Sequence, residues 1–225
     1  MKINLFLIVL VFILILAQAR AQRFEAGLTA GAAAADIPGL TYNFSKLGFT
    51  VGGLVSTAIS TKTLVQLEIN YIQKGASHAP TDSLNNGSFR YSFNYLEIPL
   101  IFRRHLHFMI FKKPSTNFDL EGGASVARLF SYNYVDATHY PQGIPSGTLN
   151  NTDVSLIAGL DYNFTSNLIF CIRYTNSVIP VFVKSKLPSN QFLFYSLNKG
   201  QNAVFQFTLK FVFSPNKKEQ SPQPQ

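Results

Sequence analysis

The side chains in this chain that could do chemistry fall at alternate positions. Gln66, Glu68 and Asn70 sit between Val65, Leu67, Ile69 and Tyr71, and Glu97 and Arg103 sit among Leu96, Ile98, Leu100 and Phe102. Asp119 and Glu121 lead into Gly123 and Ser125, while Asp161, Arg173 and Lys210 repeat the pattern further on. Two chemistries are open to such a set. Paired carboxylates can do general acid–base work. Carboxylates and cations facing one another in a closed space can instead form a network of ion pairs. A period of two places successive side chains on opposite faces of a strand, so the elements that must position these residues are β-strands.

Eight segments of this kind follow one another, at about 24–34, 47–59, 64–74, 91–104, 118–131, 153–164, 168–179 and 202–213. Short turns such as Ser60-Thr61-Lys62 and Thr165-Ser166-Asn167 alternate with long polar loops bearing Pro38-Gly39, Pro80 with Asn85-Asn86-Gly87, and Pro180 with Pro188. Alternating strands of about ten residues, even in number, with short turns at one end and long loops at the other, are the signature of an outer-membrane barrel. The expected fold is all-β, an eight-stranded antiparallel transmembrane β-barrel of up-and-down topology, with both termini periplasmic. A soluble eight-stranded barrel of lipocalin type has the same period, and periodicity alone does not say which face is inside. Three features favour the membrane. The polar face carries ionised residues on nearly every strand, the other face is rich in large aromatics, and the eighth segment ends Phe211-Val212-Phe213, like the terminal signal read by barrel-assembly machinery.

Two places resist the pattern. Pro99 lacks the N–H a ladder needs, which predicts a local bulge or kink in the fourth strand. Residues 105–117, where a short periplasmic turn belongs, are long, apolar and basic. Either the fourth and fifth strands run on past the membrane or this segment folds against something.

The ends of the chain read differently. Met1-Lys2 followed by the apolar run Leu5–Leu16 and by Ala17-Gln18-Ala19-Arg20-Ala21 has the layout of a secretory signal peptide. The run is about a dozen residues, where a spanning helix needs about 20, so an N-terminal anchor is the weaker alternative. Cleavage after Ala19 or Ala21 fits, and Ala21 is preferred. Domains are therefore expected as a signal peptide at 1–21, a barrel domain at 22–213 and a polar, disordered Pro- and Gln-bearing tail at 214–225.

Composition agrees with this placement. Only 13% of residues are charged and 14% are aromatic, and no long apolar run follows the leader. The formal charge of +8 falls to +6 when Lys2 and Arg20 leave with residues 1–21. Arg103-Arg104, Lys112-Lys113 and Lys217-Lys218 concentrate the positive charge. For a secreted chain the expected counter-charges are outer-membrane lipid and lipopolysaccharide, not nucleic acid. Cys171 is the single cysteine, which excludes an internal disulfide; set in an apolar strand pattern with no His nearby in sequence, it reads as a small hydrophobe.

The run Leu67-Glu68-Ile69-Asn70-Tyr71-Ile72-Gln73-Lys74-Gly75, followed by Tyr95-Leu96-Glu97-Ile98-Pro99-Leu100, resembles the paired signature of PorT-like outer-membrane β-barrel proteins of Bacteroidetes-type bacteria. Phe118 to Gly123 and Ala158 to Tyr162 resemble the family's later strands, so the likeness covers most of residues 22–213. It implies a barrel domain. The family's namesake is implied in the type IX secretion and gliding apparatus, and the family brings no agreed catalytic residues.

With the apolar face in lipid, Glu25, Glu68, Glu97, Arg103, Asp119, Glu121, Asp161, Arg173 and Lys210 enter the lumen, alongside Gln66 and Asn70. Eight strands enclose only enough room for side chains, and an isolated buried charge costs several kcal/mol. A packed network is expected, with Glu68 and Glu97 matched by Arg103, Arg173 and Lys210. Catalysis finds little support: His78 and His139 lie in expected loops, with Ser77 and Ser83 near the first, and no spacing motif joins them. His105 and His107 share a strand face, but no third metal ligand is visible. No phosphate loop, CxxC pair or dinucleotide motif appears, so no catalytic residue, metal or cofactor is expected. Two functional readings remain. One is a structural or interaction component of the envelope, including a role accessory to secretion. The other is a narrow channel or transporter for small solutes.

Overall fold

In a computed structural model of the chain, residues 24–38, 44–78, 89–110, 113–136, 147–183 and 200–213 are described. The expected signal peptide and tail, and the loop residues His139 and Ser83, lie outside them. Eight strands run in chain order: β1 (Phe24–Asp36), β2 (Lys46–Ser60), β3 (Thr63–His78), β4 (Phe89–Ile110), β5 (Lys113–Asp136), β6 (Thr152–Asn163), β7 (Leu168–Ser177) and β8 (Ala203–Phe213). Each pairs antiparallel with its sequence neighbour, and β8 closes on β1 from Ala26↔Phe213 to Asp36↔Ala203. Closure satisfies the backbone within the sheet, the condition for crossing lipid with strands.

The period of two sorts the side chains as the sequence implies. Phe49, Val51, Leu67, Ile69, Leu100, Phe102, Leu209 and Phe211 face outward and are exposed, while Gln66, Glu68, Glu97, Asp161 and Lys210 are buried in the barrel. An apolar exterior around a polar interior is stable only with lipid outside. Ala203, which has the parity of the outward-facing Phe205 and Phe207, is covered.

Residues 105–117 resolve in favour of strand extension. β4 runs to Ile110 and β5 starts at Lys113, leaving a two-residue connection. β3 leaves β4 at Thr63↔Arg104 and β6 leaves β5 at Phe118↔Tyr162, so the last part of this hairpin stands beyond the barrel wall. At the loop end β5 also rises past β6, which leaves it at Arg128↔Thr152, whereas β3 stays paired with β4 up to His78↔Phe89. There Phe89–Asn94 pair with Ser131–Asp136, and a bulge at Asn94/Tyr95 leaves Phe130 without a partner in the ladder.

Pro99 makes no bulge. The β3–β4 register is the same on either side of it, Leu67↔Leu100 and Asn70↔Glu97, with pairing interrupted between them. The missing N–H opens the ladder locally without shifting it. Gly75, at φ +133°, serves another local need: a Cβ there would lie 2.0 Å from the Tyr91 carbonyl oxygen, so only glycine lets β3 and β4 approach in this conformation.

The interior has two levels. Towards the loop end it is apolar: Ala33, Ala35, Ile72, Tyr91, Phe93, Tyr95, Leu129 and Val204 form one buried cluster with Leu149, Val181 and Phe182. These last three come from connecting segments that enter the barrel mouth and pair with each other, through a Leu149↔Phe182 bridge and an Asn150 N–H to Val181 oxygen bond of 2.8 Å. The remaining interior is mainly polar and charged, with a small separate apolar cluster of Leu54, Ile169 and Val212.

Candidate functional site

The charged interior is built by β3 to β8, each contributing inward positions of the same parity. Its centre is Arg173 on β7. The guanidinium donates to both oxygens of Glu68, Nη1 to Oε2 at 3.0 Å and Nη2 to Oε1 at 2.8 Å. Nε and Nη2 also donate to Glu121 Oε2, at 3.1 and 3.0 Å. Gln66 and Asn70 flank Glu68 on β3 and donate to its carboxylate. Glu68 thus meets donors on all sides, as a buried carboxylate requires.

Lys210 on β8 ties the next layer together, donating to Glu121 and to both oxygens of Asp161, the latter at 3.0 and 3.1 Å. Arg103 on β4 reaches Asp119 through Nη2 at 2.8 Å and lies with Nε 2.8 Å from Asp161. His105, half-exposed, closes the sequence with Nδ1 on Asp119. Here a cavity of about 700 Å³ opens at the end of the barrel that carries the termini and short turns, lined by Glu25, Arg103, His105, Asp119, Asn163 and Thr165 among others. Glu25 is at this rim and is only partly buried.

A second cluster lies nearer the loop end. Lys74 Nζ donates to Glu97 Oε1 at 2.9 Å and to Asp153 Oδ2 at 3.1 Å, and all three side chains are buried. Ser125 donates to Glu97 at 2.8 Å, while Ser177 and the Asn202 amide donate to Asp153 at 2.5 and 3.1 Å. Lys74 also stands 5.3 Å from the centre of the Tyr95 ring. Glu97 therefore takes its cation from Lys74. The expected match with Arg103, Arg173 or Lys210 does not form, because those three are held by Glu68, Asp119, Glu121 and Asp161 deeper in the lumen. Lys74 and Asp153 were absent from the expected network, although both have the right strand parity. Lys74 follows Asn70 by four on β3, and Asp153 precedes Asp161 by eight on β6.

Cys171 departs from its reading as a hydrophobe in apolar surroundings. It points into the charged lumen with Sγ 3.4 Å from Glu121 Oε2. Cys171, Glu121 and Asp161 bring ligand-type atoms within 4.8 Å of one another, but Lys210 and Arg173 already occupy the carboxylates, so the arrangement suits cationic side chains and leaves no coordination sphere open. His78 stacks on Phe89 with ring centres 5.8 Å apart. Ser77 touches Ser45. Neither arrangement forms a nucleophile–base pair.

A closed antiparallel barrel with apolar exterior and ion-paired core defines a transmembrane β-barrel. Residues 16–183 match the family described as outer membrane protein beta-barrel domain. The chain belongs to that family, and its place is the bacterial outer membrane. Solved structures with a similar fold include Ail, the attachment invasion locus protein of Yersinia pestis, at 12% identity over 84% of this chain and 98% of that one, with a TM-score of 0.44. Neisserial surface protein A matches at 13% identity over 86% and 99%, TM-score 0.46. CarO of Acinetobacter baumannii matches at 10% over 82% and 97%, TM-score 0.44. These likenesses are of fold alone. A search of curated proteins found no match.

Proposed function

We propose that this outer-membrane barrel is a sealed structural and interaction component of the envelope, acting without catalysis through the parts of its wall that stand beyond the membrane. The observation that carries the reading is the double closure of the lumen, by the ion-pair network at mid-barrel and by Tyr91, Phe93, Leu149 and Phe182 above it. A core filled this way favours a scaffold over a solute path. What is left to act is surface. At the loop end, β5 carries exposed Phe130, Tyr132 and Val135 on a stretch that β6, starting at Arg128↔Thr152, does not cover. At the other end stands the 105–117 hairpin.

The PorT-like signature of Leu67–Gly75 and Tyr95–Leu100 supports a role accessory to protein secretion within this reading. Outer-membrane lipid and lipopolysaccharide are the surrounding partners, and barrel-assembly machinery is the partner during insertion. Photocrosslinkers placed at Tyr132 and Val135 in intact cells test the proposal. A discrete adduct with one envelope protein, lost when the position is moved to inward-facing Ser125, is the expected result. No adduct, together with selective solute uptake that depends on the protein, would transfer the function to a narrow transporter.

A further inference from the structure

The two charge clusters differ in their access to solvent. In the deeper one, Glu68, Glu121, Asp161 and Asp119 face Arg173, Lys210 and Arg103, and Asp119, the fourth carboxylate, lines the open cavity at the mouth beside His105. In the cluster nearer the loops, Lys74 is, among the described residues, the single cation against two buried carboxylates, Glu97 and Asp153. The groups around them are neutral: Ser125 from β5, Ser155 from β6, Ser177 from β7, Tyr95 from β4 and Asn202 just before β8. Among the described residues one formal negative charge is left over in a buried place, where an uncompensated charge is strongly unfavourable.

A second, independent defect lies beside it. The Asn202 amide nitrogen donates to Asp153 Oδ2 at 3.1 Å and approaches the Tyr95 hydroxyl at 3.5 Å. Its carbonyl oxygen is buried and accepts no hydrogen bond, and the residue is 2% exposed. Turning the amide over would set that oxygen against the Asp153 carboxylate and lose the bond, so the orphaned acceptor stays. Buried acceptors without partners are rare and call for an explanation. A water molecule would satisfy the oxygen and leave the charge. A proton would cancel the charge and leave the oxygen. A small cation corrects both, because hard cations take carboxylate, amide and hydroxyl oxygens together.

We propose that the cluster of Lys74, Glu97, Asp153 and Asn202 binds one small monovalent cation inside the barrel. A single positive charge balances the surplus, and the oxygens of Glu97 on β4, Asp153 on β6 and Asn202 just before β8 supply its ligands. The ion becomes part of the fold, and its binding stabilises the folded barrel by mass action. This inference concerns the barrel core and stands whatever the exterior binds.

The test is thermal unfolding of the full barrel in detergent, read by circular dichroism and by heat-modifiable gel migration. Ionic strength is held constant with choline chloride while sodium chloride replaces it. The expected result is a saturable rise in unfolding temperature with sodium that choline does not give. Glu97→Gln, which removes the surplus charge and keeps the shape, is expected to unfold at the same temperature in both salts while still running as a compact band. Asn202→Ala is expected to weaken the sodium dependence, shifting its midpoint to higher concentration. An unfolding temperature of the unsubstituted protein that is the same in sodium and choline overturns the proposal. So does a sodium response that survives unchanged in Glu97→Gln.

Discussion

Arg173 and Glu68 meet through two parallel hydrogen bonds of 2.8 and 3.0 Å although 105 residues separate them in the chain. They stand on β7 and β3, strands that do not touch in the sheet, so the pair spans the lumen and fixes the barrel's cross-section. Arginine suits this role because its planar fork matches a carboxylate in two places at once. Arg173→Gln leaves Glu68 and Glu121 short of their shared partner. The expected loss is about 3–5 kcal/mol, measured as the shift in urea midpoint of the barrel refolded into lipid vesicles. Arg173→Lys is expected to recover only part of it, since an ammonium cannot bridge both carboxylates in the same geometry.

Among the described residues Lys74 carries the upper cluster alone. Lys74→Met places an apolar stem between Glu97 and Asp153 and leaves both carboxylates without a cation. A loss of about 3–5 kcal/mol is expected, and adding Glu97→Gln should return part of it by removing one of the two stranded charges. Equal stability of Lys74→Met and the unsubstituted barrel in the same urea titration would show that the carboxylates find other compensation.

The strand assignment was legible because one physical rule, alternation, governs every strand, and the membrane-facing side because ionised residues gather on one of the two faces and large aromatics on the other. The lumen pairing was legible only in part. Glu68 with Arg173, and Glu121 and Asp161 with Lys210, join residues whose opposite charges had to meet in a narrow space. The Lys74–Glu97–Asp153 cluster depends on how high each strand sits relative to the next, and that stagger follows from turn lengths and closure, which a linear pattern does not encode. The apolar upper core was hidden for a different reason. Leu149, Val181 and Phe182 come from connections that read as polar loops, and only the three-dimensional path carries them inside the mouth. Pro99 was read as a bulge or kink from its missing N–H, and of these the register excludes the bulge: the pairing is interrupted there without a shift.

Two adjacent glycines on β5 should respond differently to alanine. A Cβ at Gly123 would lie 2.1 Å from the Leu100 carbonyl oxygen, whereas one at Gly122 meets nothing within 4 Å. Gly123→Ala is expected to push β4 and β5 apart and lower the urea midpoint clearly. Gly122→Ala, on the lipid side, should stay within about 0.5 kcal/mol. The two substitutions share the same helix and strand propensities, so the difference reads packing alone.

Cys171 reports on the seal. Its thiol is buried beside Glu121, so a maleimide added to the folded barrel should leave it unmodified from either side of the membrane. Boiling should then expose it to complete labelling. Rapid labelling of the folded protein, read by mass spectrometry, would mean that solvent and reagent reach mid-barrel.

Planar-bilayer conductance of the refolded barrel tests the sealed lumen most directly. With the ion-pair network and the aromatic layer both in place, the bilayer should show no stable channel openings above its own leak. Steady, ohmic channels whose conductance changes with Glu97→Gln or Arg173→Gln would contradict a sealed core and show ions passing through the cluster itself.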